Sequence, residues 1–189
     1  MTLSALGIFS AAGAGGVAAT GGYELIESQI LGTSAASITF SNLGSYSSTY
    51  KHLQLRTVAQ NSTAAVTYIG IRFNADSGTT YGSHWLRGNA SSGAVDSGND
   101  LNATNIFISR STNGINAFDP AVVDILDAFS TTKNKTVRSL TGAPQGSVLE
   151  LYLTSGLWRN TNGITSLTVI PRDGSNLTAN SRFSLYGIR

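Results

Sequence analysis

Between Tyr23 and Arg189 apolar residues recur at every second position in short runs, and the runs are broken by Gly, Ser, Asn and Asp. Leu53-Gln54-Leu55-Arg56-Thr57-Val58 and Arg182-Phe183-Ser184-Leu185-Tyr186 are the clearest cases. A period of two places apolar side chains on one face of a strand and polar ones on the other. Helical spacing is convincing only at Val122, Val123 and Leu126, where the β-branched pair and Pro120 favour a strand. Ten runs read as strands: 37–40, 53–59, 66–73, 84–88, 105–109, 121–128, 135–142, 148–155, 164–170 and 182–188. Parallel strands would need crossover helices, for which the chain shows no pattern. The spacing therefore predicts an all-β fold, an antiparallel sandwich or barrel, and of the two an antiparallel β-sandwich, jelly-roll-like with about ten strands, is the expectation. The longest stretch without a strong strand, 88–105, predicts a functional or mobile loop. Within it, Asn89, Asp96, Asn99 and Asp100 are the candidate surface-contact residues.

Residues 1–22, MTLSALGIFSAAGAGGVAATGG, stand apart from this pattern, so the expected organisation is an extended N-terminal arm (1–22) followed by a sandwich domain (23–189). A secretory signal needs a positively charged start, and no Lys or Arg precedes Lys51. A membrane span needs about 20 strongly apolar residues, whereas Gly13, Gly15 and Gly16 interrupt a stretch made mostly of Ala. The same glycines lack the strand before and helix after that a dinucleotide-binding loop requires. Two readings remain. One is a flexible terminus. The other is a small-residue arm that orders on a neighbouring subunit, with Leu3, Leu6, Ile8 and Phe9 as candidate virion-anchoring residues once the resemblance below is taken into account.

Charge limits the partners. Only 12% of the residues are charged, about half the roughly 25% usual in soluble domains. A net charge of +2 cannot build the broad basic surface that nucleic-acid binding needs. Ser, Thr and Asn take the vacated positions, at 32% of the chain. The absence of Cys excludes a disulfide framework, thiolate-ligated zinc and thiol catalysis.

Catalytic patterns are weak. His52 and His84 each stand at the start of a strand-like run beside a large apolar residue, the setting of a hydrogen-bonded structural histidine. Asp124 and Asp127 have an odd separation, which on a strand places them on opposite faces and makes them a poor glycosidase pair. Asn74-Ala75-Asp76-Ser77-Gly78 resembles part of a calcium loop but lacks the terminal bidentate Glu, so an Asx turn is the expectation. Trp85, Trp158 and the seven Tyr could stack on a sugar, yet Trp158 closes a long apolar run and reads as core. No enzyme, cofactor or metal site is expected.

Several phrases nonetheless stand together in a recognisable order. Tyr23-Glu24-Leu25-Ile26 is followed by Ser37-Ile38-Thr39-Phe40, Thr49-Tyr50-Lys51-His52-Leu53-Gln54-Leu55-Arg56 and Arg72-Phe73-Asn74-Ala75-Asp76-Ser77-Gly78. Val123-Asp124-Ile125-Leu126-Asp127, Lys135-Thr136-Val137-Arg138-Ser139-Leu140, Ser155-Gly156-Leu157-Trp158 and Phe183-Ser184-Leu185-Tyr186-Gly187-Ile188 complete it. This order resembles a group of small tailed-bacteriophage virion proteins of the tail-fibre or structural type. The resemblance implies a virion component assembled in the bacterial cytoplasm. Its partners would be other virion proteins and copies of itself, a trimer by preference, with a host-surface glycan as a candidate contact. It implies no catalytic motif, nucleic-acid binding or membrane insertion. It fits a capsid decoration or head-fibre protein as well as a tail component, and a carbohydrate-binding module is the rival outside the virion class.

Overall fold

A computed structural model describes residues 22–63, 66–90, 92–111, 117–145 and 148–189. Among these residues the chain forms twelve strands: β1 (Glu24–Ile30), β2 (Ile38–Phe40), β3 (His52–Ala59), β4 (Thr67–Phe73), β5 (Tyr81–Asn89) and β6 (Ala94–Ala103), then β7 (Ile106–Ser111), β8 (Asp119–Leu126), β9 (Lys135–Gln145), β10 (Val148–Trp158), β11 (Leu167–Pro171) and β12 (Arg182–Ile188). Each of the ten expected runs falls on one of them. The additions are β1 and β6. A bulge between Leu25 and Glu27 breaks the period of β1. In β6, Gly98, Asn99 and Asp100 are poor strand formers that a ladder with β5 holds extended, and Asn102, in the left-handed region, is the extra residue of a bulge opposite Tyr81 and Gly82. The predicted 88–105 loop is therefore corrected to the end of β5, a tight turn and the edge strand β6.

All pairings are antiparallel, in an eight-stranded sheet ordered β1-β12-β3-β8-β9-β10-β5-β6 and a four-stranded sheet ordered β2-β11-β4-β7. Read along the chain, β2, β3, β4 and β5 alternate between sheets. The chain then returns through β6, β7, β8 and β11, pairing β6 with β5, β7 with β4, β8 with β3 and β11 with β2. These nested pairs are the wrapping of a jelly roll. The hairpin β9–β10 is added between β8 and β5, and β12 and β1 extend the far edge of the large sheet.

Apolar faces of both sheets meet in one core. Leu53 and Leu55 of β3, Ile69, Ile71 and Phe73 of β4, Val123 and Ile125 of β8, and Phe183 and Leu185 of β12 are buried there. Each such side chain removed from water contributes roughly 1.5–3 kcal/mol. At one end Trp158 stacks on Tyr81 with ring centroids 6.2 Å apart and 14° between the planes, and Phe73 closes against both rings. Trp158 is core, as expected. Burial raises the Tyr81 hydroxyl to a pKa of about 12.

Candidate interaction surfaces

The segment that looks most like a binding motif, 74–78, is a clasp. Asp76 accepts hydrogen bonds from the Gly78 amide (2.8 Å), the Thr80 hydroxyl (2.7 Å) and the Trp158 indole N–H (2.8 Å). The Trp158 bond, then that of Thr80, holds the carboxyl below its ordinary pKa of 3.8. The Gly78 amide contact closes the expected Asx turn. Asn74 takes a left-handed conformation, and its side-chain oxygen accepts from the Thr165 amide (2.7 Å) and the Ser166 amide (3.2 Å).

Other chemistry-bearing residues are likewise held by internal contacts. His52 Nδ1 accepts from the Asp127 amide at 2.8 Å, the structural role expected for it. Asp124 is partly buried within β8, with Gln54 Nε2 at 2.8 Å and Arg138 at 2.9 Å. Burial pushes its pKa up, but the two donors outweigh burial and the carboxyl lies below 3.8. Lys135 is buried and donates to the carbonyls of Ser130, Lys133 and Thr161 at 2.7, 2.7 and 3.1 Å. Among the described residues no three His, Asp or Glu side chains form a group that could hold a metal ion, and no helix is long and apolar enough to cross a membrane.

The candidate surface-contact residues separate. Asp96 and Asp100 form ion pairs, Asp96 with Arg87 and Asp100 with Arg172. Asn99 faces outward opposite His84. Asn89 ends β5 and directs its amide toward Glu150 Oε1 at 3.3 Å. They stand on β5 and β6 rather than in a loop. Leu3, Leu6, Ile8 and Phe9 lie outside the described residues.

Two features escaped the sequence reading. The first is a buried ion cluster where β5, β7 and β10 meet. Glu150 accepts from Arg110 (2.6 Å), the Tyr152 hydroxyl (3.0 Å) and Arg87 (3.2 Å). Burial, followed by the Glu150 bond, raises the Tyr152 hydroxyl well above its ordinary value of 10.0. Phe107 is packed edge-on by Tyr68, Trp85 and Tyr152 alongside it. Trp85 also lies over Gly98, where a Cβ would stand 2.4 Å from the indole ring. Neither tryptophan is set out as an open stacking platform, since Trp158 is fully buried.

The second feature is the outer face of the large sheet. Residues directly opposite on neighbouring strands share a face. Val122, Leu140, Leu153 and Leu86 are opposite one another in turn across β8, β9, β10 and β5, and all remain at least two-fifths exposed. In a neighbouring row Leu151 lies between Gly142 and Gly88, and Gly88 faces Val95, which is 70% exposed. On the other side runs a polar row of Asp124, Arg138, Ser155, His84 and Asn99. Alternation in residues 148–153 had a signal for this, because Leu149, Leu151 and Leu153 share one face and Glu150 and Tyr152 the other. Period alone does not say which face turns inward. No family model matches the chain, and no curated protein or solved structure is significantly similar to it.

Proposed function

We propose that this chain is a non-enzymatic structural protein of a bacteriophage virion, a tail-associated or fibre component built by symmetry as a trimer and anchored through residues 1–22. One observation supports this reading best. The distinctive polar side chains hold the jelly roll together, while the large sheet turns rows of leucine and valine outward. An enzyme needs converging reactive groups in a cleft, whereas a particle component needs a rigid body with faces for its neighbours. The resembling phrases fall on such parts of the body, with Lys51-His52-Leu53-Gln54-Leu55-Arg56 leading into and forming β3, Ser155-Gly156-Leu157-Trp158 ending β10 and Phe183-Ser184-Leu185-Tyr186-Gly187-Ile188 lying in β12. Low charge makes contacts between such faces little dependent on salt.

Peptide mass spectrometry of purified particles of the phage that encodes the chain tests the reading. Stoichiometric recovery of its peptides is the expected result, and their absence overturns it. A chain lacking residues 1–22 is expected to fold with the same circular dichroism spectrum yet fail to enter particles. Normal incorporation of the truncated chain refutes the anchoring role.

A further inference from the structure

A jelly roll closes with four strands in each layer, and the large sheet has eight. The added hairpin β9–β10 carries Leu140, Leu149, Leu151 and Leu153 on the face turned away from the core, where each remains about half exposed. Solvent-facing strand positions elsewhere carry hydroxyl side chains, such as Thr39 and Thr168, or single aliphatic ones, such as Leu25 and Val58. The half-exposed aliphatic groups of this face, at roughly 80 Å² each, offer on the order of 600 Å². That is the upper end for the largest apolar patch on a monomer, and close to the roughly 800 Å² each partner gives to a stable interface.

Relief and charge both point to a copy of the same chain as the occupant. The β10 leucines form a ridge, and Leu151 lies between Gly142 and Gly88, above which a Cβ would meet nothing within 4 Å. Ridge and furrow thus occur on one face, so the face can complement itself. Its nearest charges are already engaged, Arg138 with Asp124 at 2.9 Å and Arg56 over the Tyr186 ring at 4.5 Å. With one closed ion pair and the single charge of Arg56, the face holds no cluster of like charges that would repel its own copy or select a charged partner. We infer that this face joins copies of the chain, with the β10 leucine ridge of one copy seated against the glycine furrows of the next. The inference takes its biological setting from the structural-protein reading, but the contact belongs to the purified chain and is tested without particles.

The test is light-scattering mass measurement of the full chain at micromolar concentration. A multiple of 19.7 kDa is the expected result. Leu151→Lys is expected to raise the dissociation constant by roughly 30-fold or more and give a 19.7 kDa species with an unchanged circular dichroism spectrum. If Leu151→Lys fails to fold, Leu86→Glu on the neighbouring strand takes its place with the same expectation. Val66→Lys, at an exposed valine outside the sheet face, is expected to keep the assembled mass. A single-chain mass for the unsubstituted protein overturns the inference, whether or not that monomer floats with neutral phosphatidylcholine vesicles. So does full assembly of both folded face variants. Assembly lost on Phe9→Ser and kept in Leu151→Lys assigns the contact to the arm and overturns it as well. Absence from particles with a self-associating pure chain leaves the contact standing and removes only the virion setting.

Discussion

Asp76 ties the turn after β4 to the end of β10 through one carboxylate. Its Oδ2 accepts from both the Trp158 indole and the Thr80 hydroxyl, and its Oδ1 closes the turn onto Gly78. In Asp76→Asn one oxygen becomes a donor, which faces donors. Leaving such groups unmatched costs about 1–3 kcal/mol, so the melting temperature is expected to fall by roughly 2–12 °C, at 2–4 °C per kcal/mol for a domain of this size. Thermal unfolding followed by tryptophan fluorescence measures it. Glycines differ in the same local way. A Cβ on Gly156 would stand 2.3 Å from Ile106 Cγ2 inside the core, whereas one on Gly32 would meet nothing within 4 Å. Gly156→Val is expected to cost about 1–3 kcal/mol, and Gly32→Ala to change stability by less than about 0.5 kcal/mol, both read from urea midpoints.

At the scale of strands, the corner of β5, β7 and β10 depends on Glu150. Its carboxylate neutralises Arg110, itself buried, and shares Arg87 with Asp96. Glu150→Ala leaves the Arg110 guanidinium buried without its counter-charge, and such losses cost about 3–5 kcal/mol. Urea denaturation is expected to show that loss, with Arg110→Met/Glu150→Leu less destabilised than Glu150→Ala alone. This corner also marks where sequence reading ends. Period-two alternation located ten strands because apolar and polar residues separate onto their two faces, most cleanly in β12. It missed β1 and β6, where a bulge and a run of Gly, Asn and Asp hide the period and pairing with a neighbour supplies the extension. In β10 it located the strand without its orientation. Leu149, Leu151 and Leu153 form the more apolar set but face outward, while Glu150, Tyr152 and Thr154 face inward. Inward burial of Glu150 makes sense only with Arg110, 40 residues away in sequence. The Asx turn and structural His52 were legible because their contacts are local or involve a strand end. The segment 88–105 was read as a loop because a polar edge strand and a polar loop have the same composition.

Across the whole molecule several aspartates are held below the ordinary carboxyl pKa. Asp76 is held below 3.8 by Trp158, Asp127 by Lys133 and Asp124 by Gln54 and Arg138 against burial. A carboxyl whose folded pKa lies below its unfolded value makes the unfolded chain bind more protons in that interval. Its contribution is complete well above pH 3.8 and is lost as the pH falls through and below that value. Urea midpoints are therefore expected to be level from about pH 7 to pH 5 and to drop steadily below about pH 4. A midpoint that holds to pH 2 contradicts the carboxylate network. The same molecule turns an aliphatic sheet face outward, and its place in a particle is the central claim. A cryo-EM map of the intact particle tests that claim most directly. The expected result is density for the twelve-stranded sandwich in symmetric copies on the tail, with the outer faces of β9 and β10 turned toward one another. Density on the capsid shell would move the protein to a decoration role, and a map with no such sandwich would contradict the account.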